Sequence, residues 1–92
     1  MFKITMRASG IESGVGPEAA EDIQNEFREH RRWHERVTCT FSDGTLTLIV
    51  FNDFDRDGSA LSDEFSDCLS AYIPLGSISD EGVIEIVGVE II

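Results

Sequence analysis

Basic side chains are scarce in this sequence. Seven Lys and Arg stand against eighteen Asp and Glu, a formal net charge of −11 over 92 residues. The deficit sits in one half: residues 1–42 carry seven acids and six bases, whereas residues 43–92 carry eleven acids against Arg56 alone. Binding a phosphate backbone depends on Lys and Arg that displace counterions, so no nucleic-acid partner is expected. Long apolar runs are missing too. No stretch approaches the roughly 20 apolar residues of a membrane-crossing helix. The opening residues Met1-Phe2-Lys3-Ile4-Thr5 alternate like a strand and do not form the apolar segment of a secretion signal. No membrane partner is expected, and the cytoplasm is the expected compartment. Cysteine is sparse as well. Cys39 and Cys68 are too few and too far apart for a zinc knuckle or a disulfide framework; each falls on an apolar stripe, where a free thiol behaves as a small hydrophobe.

What is present specifies one α+β domain over residues 1–92. The length suits a single core, and an apolar share of 41% is enough to argue against disorder. Phe2, Ile4, Met6 and Ala8 alternate with Lys3, Thr5 and Arg7, a strand with one face inward. Ser9 to Gly16 holds three glycines and reads as a flexible loop. Pro17 suits the first turn of a helix whose start is acidic and whose end is basic, with Ala20, Ile23 and Phe27 as its inward stripe.

Residues 35–50 carry the clearest signal. Asp43-Gly44 is a two-residue hairpin turn between alternating segments. It sets Phe41 opposite Leu46, Cys39 opposite Leu48 and Val37 opposite Val50, all on one side; Thr40–Thr47 and Thr38–Ile49 fall on the other. A second helix follows, with Leu61, Phe65, Cys68, Leu69 and Tyr72 at helical spacing and Pro74 beyond its end. In the last strand, residues 83–92, the alternation changes phase at Val87-Gly88, which predicts a β-bulge.

The order β-α-β-β-α-β resembles the ferredoxin-like split-βαβ sandwich: a four-stranded antiparallel sheet of order 4-1-3-2 with both helices on one face. The resemblance implies an architecture and no activity.

The most specific motif is Asp53-Phe54-Asp55-Arg56-Asp57-Gly58 with Glu64 six residues after the glycine. It satisfies the spacing of a calcium-binding loop and resembles that of the EF-hand. Carboxylates of Asp53, Asp55 and Asp57, the Ser59 carbonyl and a bidentate Glu64 would supply the oxygens calcium requires, with Gly58 at the turn. The segment departs from the EF-hand in following a strand, in having Ala60 where a larger aliphatic residue is usual, and in lacking a second loop. Acids also favour a helix start with no metal present.

Other chemistry is thinly represented. His30 and His34 are four apart with Glu26 a turn earlier, but His34 falls past the expected helix end, which leaves a zinc ligand set incomplete. The glycines at 10, 14 and 16 match no phosphate-binding loop. No serine stands in a nucleophile elbow, so an enzyme is not expected.

Two surface features remain. Ile49 and Phe51 project from a central strand onto the sheet face that no helix covers, an apolar patch with a polar rim. Asp55, Asp57, Asp63 and Glu64 crowd the start of the second helix, within an acidic half that also includes Asp53 and Asp67. The expected function is therefore a small acidic, non-catalytic protein-interaction module. Such a module would bind a basic protein partner, as in neutralising a basic toxin or nuclease, or self-associate through the open sheet face. The alternative is a calcium-binding domain using residues 53–64. No other cofactor is expected.

Overall fold

The computed structural model describes residues 1–92. Its elements are β1 (Phe2–Ala8), α1 (Gly16–His30), β2 (Glu35–Ser42), β3 (Thr45–Asn52), α2 (Ser59–Tyr72), a short 3₁₀ turn (Leu75–Ser77) and β4 (Ile84–Ile91). The four strands form one antiparallel sheet ordered β2-β3-β1-β4, the order 4-1-3-2 read from its other edge. The ferredoxin-like arrangement read from the sequence is therefore the one adopted. No helix is long and apolar enough to cross a membrane.

Alternation decides which sheet face is buried. Ile4, Met6 and Ala8 of β1, Val37 and Cys39 of β2, and Leu46, Leu48 and Val50 of β3 join one core with Ala19, Ala20, Ile23 and Phe27 of α1 and Leu61, Phe65, Cys68 and Leu69 of α2. Burying each large apolar side chain contributes about 1.5–3 kcal/mol, so this single layer accounts for most of the driving force. Tyr72 departs from the expected stripe of α2. It is exposed, and its hydroxyl donates to Glu26 of α1 at 3.1 Å.

The Asp43-Gly44 turn has positive φ at both residues, 49° and 77°, the geometry a tight two-residue hairpin requires. It sets the expected pairs Phe41–Leu46, Cys39–Leu48, Thr40–Thr47 and Thr38–Ile49. The expected Val37–Val50 pair is displaced. Glu35 lies opposite Phe51, so Arg36 and Val37 together face one residue of β3 in a bulge where Arg36 takes φ 51°. The bulge foreseen in β4 is present: Thr5 pairs with Gly88 and Met6 with Ile86, leaving Val87 extra.

The glycine-rich segment after β1 is packed, contrary to the flexibility its composition suggests. Ser9 N–H donates to Val83, Ser79 N–H to Gly10 and Glu12 N–H to Ser77, each at 2.8–2.9 Å, tying the loop to the stretch before β4. Gly16 lies directly under the ring of Phe41, where any Cβ would overlap it. Close approach, and not mobility, explains glycine at these positions.

Candidate functional site

The Asp-rich turn between β3 and α2 is organised from within. Asn52 closes β3 and is almost fully buried; its Oδ1 accepts the N–H groups of Phe54 (3.2 Å) and Asp55 (2.9 Å). Asp55 is buried in turn, and its two carboxylate oxygens accept the N–H groups of Ala60 (3.2 Å) and Leu61 (2.9 Å). These are free donors in the first turn of α2, and a carboxylate there satisfies them while complementing the helix dipole. Asp57 accepts the N–H of Ser59 at 3.0 Å, and that bond holds its carboxyl below the usual range.

Glu64 faces the opposite direction. Its Oε2 accepts from Arg31 (3.2 Å) and Trp33 Nε1 (3.1 Å), and its Oε1 lies 2.9 Å from Nε2 of buried His34. The tautomer of His34 follows from Asn52. With Oδ1 occupied by two backbone donors, the Asn52 amide presents its NH₂ to His34 Nδ1 at 3.1 Å. Nδ1 is then the acceptor, and Nε2 carries the proton donated to Glu64. Phe27, Trp33 and Phe54 surround the imidazole with ring centroids 5.5–6.0 Å away. The result is a part-buried polar network that joins the end of α1, the start of β2, the end of β3 and α2.

The five residues of the calcium motif are therefore not arranged around a common centre. Asp55 and Glu64 are committed to other donors, while Asp53, Asp57 and Ser59 are exposed. No group of three or more His, Cys, Asp and Glu side chains is placed to hold a metal ion. Titration calorimetry at millimolar calcium is expected to give no binding heat, because Glu64 would have to abandon three donors. A one-to-one isotherm that disappears in Asp53→Ala would overturn that expectation.

His30 and His34 do not act together: His30 is exposed beside Glu29 (3.9 Å), whereas His34 is sealed in the network. Cys39 and Cys68 are free and buried. Burial pushes the Cys39 thiol up to about 12 and raises that of Cys68, the latter against the opposing pull of Arg31. Both are poor nucleophiles.

Of the acids expected on the surface, Asp53, Asp57, Asp63 and Asp67 are exposed; Asp55 is internal and Glu64 largely so. Ile49 and Phe51 lie on the helix-free face as expected, opposite Thr5 and Lys3, but both are half-buried. The β2 bulge places the Arg36 guanidinium 5.3 Å above the Phe51 ring, a cation–π contact. Lys3 pairs across the sheet with Glu90 and Arg7 with Glu85. This face is a mixed-charge surface with a small apolar centre.

The larger apolar exposure is elsewhere. Six of the eleven exposed large hydrophobics fall in residues 83–92, including Ile84 (44%), Ile86 (41%) and Ile91 (83%). Ile84, Ile86 and Ile91 pair with Ala8, Met6 and Phe2, which puts them on the helix side of the sheet. There α2 covers β4 only thinly. Between them opens a cavity of about 230 Å³ lined by Leu69 of α2, Ile73 just beyond its end, Ile84 of β4, and Ala8, Ile11 and Ile78. A signal for this surface exists in the sequence: seven of the ten residues from Val83 to Ile92 are Val or Ile, more than one face of a strand can bury.

Comparison with protein-family models, with curated proteins and with solved structures returned no match.

Proposed function

We propose that this protein is a non-catalytic acidic interaction module that binds a basic protein partner, with neutralisation of a cationic toxin or nuclease as its most concrete form. A cytoplasmic location belongs to this reading. The observation that carries it is the coincidence, along β4 and its approach, of contiguous exposed apolar side chains with the acids Glu81, Glu85 and Glu90, in a segment where no Lys or Arg occurs after Arg56. Exposed apolar patches rimmed by charge mark interaction sites, and a single-sign field steers oppositely charged partners. A net charge of −11 on every copy disfavours self-association through the open face, where Arg36 already covers Phe51. The non-catalytic part of the reading is supported by Asp55 capping α2 and by His34 and Glu64 bonding each other.

The test is the association rate with a basic ribonuclease as probe, measured at about 20 and about 200 mM NaCl. Screening of steered encounter should lower the on-rate about tenfold or more over that interval. Binding indifferent to ionic strength, or no binding to basic proteins at low salt, would overturn the proposal.

A further inference from the structure

The two edges of the sheet are treated differently. At β2 the outward backbone is occupied by side chains of α1: Arg28 donates to the Val37 carbonyl through Nε (3.2 Å) and Nη2 (3.0 Å), and Gln24 Oε1 accepts the Cys39 N–H at 3.0 Å. At β4 no side chain bonds the backbone of Ile84–Ile91, and the strand pairs only with β1. An eight-residue edge, five of whose residues are Val or Ile, with no side chain bonded to its outward N–H and C=O groups is a template for another strand unless something blocks it.

We infer that the free edge of β4 is the docking element, and that it takes an extended partner segment in which apolar residues alternate with Lys or Arg. The inference rests on the reading of the protein as an acidic interaction module and names the segment that module accepts. The segment adds a fifth strand to the sheet. Its apolar side chains lie on the helix side, against Ile84 and Ile86, with one entering the 230 Å³ cavity between β4 and α2. Its basic side chains lie on the helix-free side, beside Glu85 and Glu90. β1 already supplies that pattern on the other flank of β4, where Arg7 and Lys3 face the same two acids and Phe2, Ile4, Met6 and Ala8 alternate with them.

Charge selects this occupant over a second copy of the chain. The antiparallel register that sets Ile84 and Ile86 of one β4 opposite Ile91 and Val89 of another also sets Glu85 opposite Glu90, twice across the dyad. Like charges directly opposed across strands are destabilising, whereas Lys or Arg in those positions turns both contacts favourable.

The experiment uses the full chain and three synthetic ten-residue peptides: one alternating Val with Lys, one with the same composition in two blocks, and one alternating Val with Glu. The alternating Val-Lys peptide should bind, and amide hydrogen exchange should slow within residues 84–91. Ile86→Lys and the double variant Glu85→Gln/Glu90→Gln should each weaken it about tenfold or more, while Asp63→Asn/Asp67→Asn changes affinity less than about threefold. Ile86 and both glutamates are exposed, so these variants should keep the wild-type circular dichroism; the exchange footprint on wild-type protein stands as a second measurement independent of them. Equal binding of the block peptide, or protection outside β4, overturns edge docking and leaves the acidic-module reading intact. Failure of every basic peptide and of the basic ribonuclease at low salt overturns both. A concentration-dependent dimer in sedimentation velocity that disappears in Ile86→Lys assigns the edge to a second copy, and also overturns the inference.

Discussion

Replacing Glu64 with alanine is expected to cost about 3 kcal/mol of folding stability, the typical penalty for stripping one partner from a buried charged network. The carboxylate serves three donors at once: Arg31, the Trp33 indole and His34 Nε2–H. Arg31 is already under-satisfied, since its buried Nε has no hydrogen-bond partner and lies 4.0 Å from Glu26. Losing Glu64 would leave that guanidinium with the Glu26 carboxylate at 4.0 Å as its remaining ion-pair partner. Glu64→Gln should cost about 1–2 kcal/mol even though the shape is retained, because a carboxamide must turn its NH₂ towards a group that is itself a donor. Urea unfolding of the two variants measures both effects. A glutamine variant as stable as wild type would refute the acceptor-only role, and with it the tautomer deduced for His34.

Gly10→Ala is expected to cost about 2–4 kcal/mol and to lower the melting temperature by roughly 10–20 °C for a domain of this size. Gly10 has φ 76°, a conformation costly for L-residues, and an added Cβ would lie 2.7 Å from the Cα of Gly82. The nearest obstacle is the Gly82 backbone, at both its Cα and its N, which cannot swing aside as the end of a side chain could. Relief would require the Ser9–Val83 and Ser79–Gly10 hydrogen bonds to lengthen, shifting the approach to β4 and the wall of the cavity that includes Gly82. Gly14→Ala is the control: its nearest neighbour would be a side-chain oxygen 3.7 Å away, so the substitution should be close to neutral. Differential scanning calorimetry of the pair decides the matter. Equal, small effects would show that the loop yields.

Much of the architecture was legible because two local rules agree. The Asp43-Gly44 turn and the alternation on either side of it specify the same hairpin register, and a one-residue slip would have turned both faces over. The β4 bulge announced itself as a change of phase with a glycine beside it. The bulge at Arg36 gave no such sign, because a non-glycine residue takes the left-handed conformation there, and its effect was to roof Phe51 with a guanidinium.

Composition also misled where one residue type serves two ends. Gly10 and Gly16, read as loose, were close-packing positions. Asp55 and Glu64 read as surface charge or metal ligands, yet each turned inward to meet donors: the nearby first-turn amides of α2 for Asp55, and Arg31, Trp33 and His34 from a distant segment for Glu64. Spacing within a motif cannot report which donors the rest of the chain will bring. The exposure of β4 escaped for a related reason. Periodicity shows which side of a strand is apolar but not how far α2 will reach across it.

The contrast between the Arg28- and Gln24-blocked rim of the sheet and its bare opposite rim carries a consequence for stoichiometry. If β4 docks a partner strand as inferred, extension proceeds on that flank alone, so each molecule would take a single guest strand and then stop. Complexes built this way are one-to-one and finite, and a molecule that joins the end of a growing fibre closes it off.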